Sequence, residues 1–119
     1  MKPPPPTEFQ EQSALVEWLE FKRLKFTSIP NSTFVPKKDN AKFWGQLNRN
    51  KASGVRKGFP DLVVLTPNKL LFIEMKRTKG GQTSSEQKEW LESLKLYPCV
   101  EVTVAKGCEE AISFIQQYV

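Results

Sequence analysis

The stretch Leu70-Leu71-Phe72-Ile73-Glu74-Met75-Lys76 is apolar on both faces of an extended chain until Glu74, and no other segment constrains the fold as much. A strand that is apolar on both sides needs cover on both sides, so it belongs in the middle of a sheet. Asp61 to Leu65 (DLVVL) is a second β run, and the turn-like Thr66-Pro67-Asn68-Lys69 joins the two into a hairpin. In a symmetric hairpin Leu65 faces Leu70 and Thr66 faces Lys69. The same register sets Asp61 opposite Glu74.

That juxtaposition is the sharpest expectation the residues yield. Directly opposed residues hold their Cβ atoms roughly 4.5–5.5 Å apart, and two like charges at that separation repel. A divalent cation turns the repulsion into coordination, and two carboxylate oxygens completed by water and a substrate phosphate suit magnesium. Glu74 and Lys76 share a face with Leu70 and Phe72, while Leu71, Ile73 and Met75 line the other. A carboxylate and an ammonium at the far end of a central strand are costly to bury unless paired or metal-bound. Lys76 beside a metal can orient or deprotonate an attacking water and neutralise charge on a pentacovalent phosphate, which is phosphodiester-hydrolysis chemistry. The plainer reading is that Pro60-Asp61 is only a turn, with Glu74 and Lys76 a solvated ion pair.

The rest of the chain supplies the cover. Thr7 caps a helix running to about Lys22, with Gln10 completing a capping box and Leu15, Trp18 and Leu19 as its apolar stripe. Phe26 to Ile29 is a short strand stopped by Pro30-Asn31, and 39–49 is weakly helical around Phe43, Trp44 and Leu47. Ser84 to Leu96 is an amphipathic helix opening with overlapping capping boxes, Thr83 to Glu86 and Ser84 to Gln87, and turning Trp90, Leu91 and Leu94 inward. Cys99 to Val104 alternates like a strand, and Cys108 to Tyr118 is a closing helix through Ala111, Ile112 and Ile115. Helix, hairpin, helix, strand and helix make an α/β layer around a small mixed sheet. A chain of 119 residues is one domain's worth: residues 1–6 read as a flexible polyproline tail and 7–119 as a single domain.

Histidine is absent from all 119 residues, which removes His-based acid/base catalysis, Ser-His and Cys-His pairs and His-ligated metals. Catalysis here must run on carboxylates, lysine and a hard cation. Cys99 and Cys108 show no Cys-x-x-Cys spacing, so buried free thiols are expected rather than a zinc cage or disulfide. No apolar run is long enough to span a bilayer and nothing resembles a signal peptide, so a cytoplasmic location without membrane partners is expected. Eighteen Lys and Arg against 13 Asp and Glu favour a polyanionic partner. Lys37, Lys38, Lys42, Arg49, Lys51, Arg56 and Lys57 face only Asp39 in one stretch, and Arg77 and Lys79 follow the catalytic strand. Lys51, Arg56, Lys57, Arg77 and Lys79 are the candidates for phosphate-backbone contacts.

Glu8, Glu11 and Gln12 extend the inward stripe of the first helix toward Leu15. Either acid has a role at the site or serves as a favourable first-turn anion. Gln87 lies on the inward side of its helix and is equally read as a cap.

The ordered set of these segments resembles the VRR-NUC branch of the PD-(D/E)XK nucleases, especially its small stand-alone phage and prophage members. The likeness lies in 7–18 (TEFQEQSALVEW), Ile29-Pro30-Asn31, 54–62 (GVRKGFPDL), 72–76 (FIEMK) and 85–91 (SEQKEWL), nearly the whole chain. Asn31-Ser32-Thr33 departs from the glycine-rich turn usual there. The resemblance implies a restriction-endonuclease-like αβββαβ core. It implies Mg²⁺ or Mn²⁺ on Asp61 and Glu74 with help from the Met75 carbonyl, Lys76 as catalytic lysine, Glu8 as first-helix acid and metal-site residue, and Gln87 as motif glutamine. It also implies structure-selective cleavage of branched DNA by a homodimer, of the kind that resolves Holliday junctions, with no cofactor beyond the metal. A DNA-binding module with structural carboxylates, or a restriction- or repair-type nuclease on linear duplex, are the other readings.

Overall fold

The structure, a computed structural model, describes residues 2–30, 45, 48–49 and 52–119. In chain order its elements are α1 (Glu8–Phe21), β1 (Lys25–Ser28), β2 (Leu62–Leu65), β3 (Leu70–Lys76), α2 (Ser85–Leu94), β4 (Val100–Lys106) and α3 (Cys108–Gln116). The four strands form one mixed sheet in the order β1-β2-β3-β4, so the segment apolar on both sides is internal, as its pattern demands. β1 to β3 run antiparallel and β3 to β4 parallel, a connection that needs a crossover, which α2 provides.

The hairpin register is the symmetric one, with Leu65 on Leu70 and Leu62 on Ile73. β2 begins one residue later than expected, because Asp61 turns its carboxylate onto the backbone of β3 instead of continuing the ladder. Thr66 closes the turn at both ends, its hydroxyl bonding the Lys69 carbonyl and amide. β4 runs further than the alternating segment suggests, to Lys106, since it pairs along the whole length of β3. It stops at Gly107, whose φ of 95° ends the extended run.

The main core lies on one face of the sheet. Leu62 and Val64 of β2 meet Leu71, Ile73 and Met75 of β3, all fully buried under Leu15 and Leu19 of α1 and Ala111 and Ile115 of α3. α2 covers the opposite face with Leu91, where Phe59 wedges edge-on between Phe72 and Trp90 at 5.6 and 4.9 Å. Thr7 and Ser84 each make the full reciprocal capping box, so of the two overlapping boxes before α2 it is Ser84 to Gln87 that starts the helix. The expectation of buried thiols fails for Cys99, which is exposed just before β4, while Cys108 is half-buried, and both are free. Of the helix expected over 39–49, residues 39–44, 46 and 47 lie outside the described residues, as do Lys37, Lys51 and the Asn31-Ser32-Thr33 turn; Gly45, Asn48 and Arg49 are helical.

Candidate active site

Where β2 gives out, β3 continues for three residues with no antiparallel neighbour. The Met75 N–H there donates to Asp61 Oδ2 at 2.7 Å, so the carboxylate replaces the missing strand. A residue's N–H and C=O point to the same side of a strand, so the Met75 carbonyl also opens toward Asp61. Lys76 turns the other way, its carbonyl accepting from the Gly107 N–H of the segment after β4 at 2.9 Å. Asp61, Glu74 and Met75 thus bring two carboxylates and a carbonyl to one end of the sheet.

Glu74 and Lys76 project toward α2, as alternation requires. They are only 2% and 8% exposed, which excludes a solvated ion pair. Lys76 Nζ lies 3.6 Å from Glu74 Oε1 and donates to Gln87 Oε1 at 3.0 Å. The other end of the Gln87 amide donates to Glu74 Oε1, and Gln87 Oε1 also accepts the Ser84 N–H at 2.9 Å. The two readings of Gln87 are therefore both realised: one amide caps α2 and bridges the buried lysine and glutamate.

Burial, then the charge of Asp61, pushes Glu74 up to about 8 against the opposing pull of Lys76. Burial also raises Asp61, although the Met75 amide, Glu74 and Lys76 hold it back. The two carboxyls can hydrogen-bond only when one carries a proton; as bare anions they leave Glu74 Oε2 buried without a partner. An orphan buried oxygen facing a second carboxylate is satisfied by either a proton or a cation. An all-oxygen set of two carboxylates and a nearby carbonyl fits a small hard ion such as Mg²⁺, which retains waters. Among the described residues no three acidic, Cys or His side chains converge on one point, so Glu8 is no third member of a tight cage.

Glu8 nonetheless belongs to this neighbourhood. Its pKa is raised first by burial and then by Asp61, with Lys76 pulling it down. Glu11, one turn on, goes elsewhere: its Oε1 accepts the Cys108 N–H at 3.1 Å and caps α3. Local spacing cannot separate the two acids, because both lie on the inward stripe and the difference comes from an element 97 residues away.

A cleft of about 330 Å³ opens over Asp61, Glu74, Lys76 and Gln87, with Lys57 and Gly58 on its rim. The rim loop is latched to α2, since the Trp90 indole donates to the Lys57 carbonyl at 3.1 Å and a Cβ on Gly58 would sit 2.8 Å from Glu86 backbone. Gly58 also has φ of +94°, so glycine is required there twice over. The close approach of a distant helix to Gly58 has no local signature in the sequence. Lys57 is exposed and 3.8 Å from Glu86, and Arg56, Arg77 and Lys79 are likewise exposed, with Arg56 on the far side of Lys57 beside Trp90.

The VRR-NUC domain family model matches residues 7–108. A solved structure described as a VRR_NUC domain protein superposes with a TM-score of 0.66 at 32% sequence identity, the match covering 97% of this chain and 89% of that one. No curated protein matches. A nuclease-type domain implies DNA as its substrate, and among the described residues no helix is long and apolar enough to cross a membrane. Matched over most of its length, the chain belongs to the VRR-NUC family, a branch of the PD-(D/E)XK nucleases.

Proposed function

We propose that this chain is a metal-dependent endonuclease that hydrolyses phosphodiester bonds in branched DNA. The single observation that carries the reading is the pairing of Asp61 and Glu74 around a buried, unpartnered oxygen, with the Lys76 amine alongside. Mg²⁺ or Mn²⁺ held by Asp61, Glu74 and the Met75 carbonyl would supply Lewis-acid stabilisation of the phosphate's developing charge. Asp61 is oriented for that task by the Met75 N–H. Lys76 Nζ, fixed by Gln87, takes its place next to the carboxylates to position the attacking water and meet negative charge. Gln87 restricts both neighbours at once, and Glu8 adds negative charge at the edge of the site, favouring a bound cation through intervening water. Lys57 at the rim, with Arg56, Lys51, Arg77 and Lys79, binds flanking phosphates. Selectivity for four-way junctions and a homodimeric assembly that presents two such sites rest on the resemblance to the small phage members.

The test compares four-way junction, flap, duplex and single-stranded DNA in one assay with Mg²⁺ or Mn²⁺, using wild type and Lys76→Ala. Cleavage should fall at least about a hundredfold in the variant while binding persists. A wild type that binds branched DNA and never cuts it is a binding module, and a fully active Lys76→Ala removes the lysine from the chemistry.

A further inference from the structure

Two adjacent glycines, Gly80 and Gly81, lie in the irregular loop between β3 and α2, and the fold needs them for different reasons. Gly80 has a φ of +82° and nothing within 4 Å of where its Cβ would be, so it serves to turn the chain. Gly81 lies outside the left-handed region but has no room. A Cβ there would sit 3.1 Å from Lys76 Cβ, 3.5 Å from Lys76 Cδ and 3.4 Å from the Arg77 backbone nitrogen. The bare backbone at Gly81 therefore lies along the aliphatic stem of Lys76.

Both ends of this loop are tied to the surroundings of the same lysine. At its start Thr78 packs against Gly107, where a Cβ would meet the Thr78 methyl at 2.7 Å, and the Gly107 N–H donates to the Lys76 carbonyl. At its end the Ser84 N–H donates to Gln87 Oε1 at 2.9 Å, the oxygen that also takes the Lys76 amine at 3.0 Å. Gln82 and Ser84 line the cleft with Asp61, Glu74 and Lys76, so the loop is one wall of the site. A wall held at both ends cannot back away freely, and Lys76 Cβ belongs to a strand paired with β4.

A lysine stem is long and flexible, and one hydrogen bond at its tip leaves the bonds below it free to turn. Contact along the stem removes that freedom. We propose that Gly81 is a positioning residue, whose bare backbone clamps the Lys76 stem and so keeps the amine on Gln87 Oε1 and beside Glu74. What the amine then does rests on the nuclease reading, whereas the clamp is a contact that can be measured without cleavage.

The test places Gly81→Ala and, for contrast, Gly80→Ala in full-length wild type and in Lys76→Gly, which lacks the stem. In metal-free thermal unfolding, Gly81→Ala should lower the melting temperature by several degrees more in wild type than in Lys76→Gly. Gly80→Ala, whose cost is backbone strain, should lower it equally in both. In cleavage with Mg²⁺, Gly81→Ala should turn over about ten- to a hundredfold more slowly at saturating DNA with KM unchanged, since a misplacement approaching 1 Å costs about a hundredfold. Equal melting losses for Gly81→Ala in the two backgrounds overturn the clamp, as does an unchanged rate at saturation or a loss confined to KM. Wild type that cuts nothing removes the nuclease reading, and the unfolding comparison then decides the clamp alone.

Discussion

The two halves of β3 are built to opposite specifications. From Leu70 to Ile73 the strand is hydrogen-bonded on both sides, to β2 and β4, and buries Leu71 and Ile73 completely. From Glu74 to Lys76 only β4 remains alongside, and two ionisable groups are buried where the first half buries hydrocarbon. The turning point is the residue at which β2 stops and Asp61 takes over its hydrogen bond. One half of the strand holds the fold together; the other gives up stability to hold charges in place.

The contrast is sharpest in paired substitutions. Ile73→Ala removes fully buried hydrocarbon and should cost about 2–5 kcal/mol at any pH. Glu74→Gln, one residue on, should stabilise the metal-free protein at pH 8. The sign follows from Glu74 being pushed from an ordinary 4.5 up to about 8. The folded state holds the proton more tightly than the unfolded chain, so the stability linked to it is full below about pH 4.5 and is lost as pH rises to about 8. Asp61 and Glu8, also raised, push the same way. Metal-free wild type should therefore lose on the order of a few kcal/mol between pH 5 and 8, and Glu74→Gln should flatten most of that slope in denaturant titrations. A wild-type stability that rises over this interval removes the buried charge from the account.

Metal should act on the same half of the strand alone. Mg²⁺ or Mn²⁺ competes with the proton for the Glu74–Asp61 pair, so the gain in melting temperature should be larger at pH 8 than at pH 5. A hundredfold excess over the dissociation constant contributes about 2.7 kcal/mol. Ile73→Ala should keep that gain and Glu74→Gln should lose it. Equal gains at both pH values would place the ion elsewhere.

The same boundary marks what the sequence could disclose. The stable half is legible because alternation and turn chemistry are local: the pattern of 70–76 and the turn at 66–69 specify the hairpin and its register. The acidic pair followed from that register. What escaped is each contact made by an element distant in sequence: the Met75 amide that aims Asp61, the Gly58 backbone against α2, the Trp90 clasp on Lys57 and the dual use of Gln87. Capping explains Gln87 fully within four residues, so nothing local asks for its second partner. Glu8 and Glu11 were indistinguishable for the same reason.

Those two acids give the smallest prediction and the finest division of the molecule. They sit one turn apart on α1, yet Glu8 answers electrostatically to Asp61 while Glu11 binds the Cys108 amide. α3 has Gly107 as its N-cap and no side-chain cap of its own, so the Glu11 carboxylate is an anion supplied across the fold to an otherwise uncapped helix start. Glu11→Ala should then cost about 1 kcal/mol, a drop of about 4 °C in melting temperature, while Glu11→Gln, which keeps an acceptor, costs a few tenths. Glu8→Ala should cost little stability and weaken metal binding instead. α3 meets β3 through the Gly107–Lys76 backbone bond and through Ala111 and Ile115 on the core face, not through the carboxylates of the site, so cleavage should fall far less in Glu11→Ala than in Glu8→Ala. The reverse order would make Glu11 the acid of the site and reduce Glu8 to a first-turn charge.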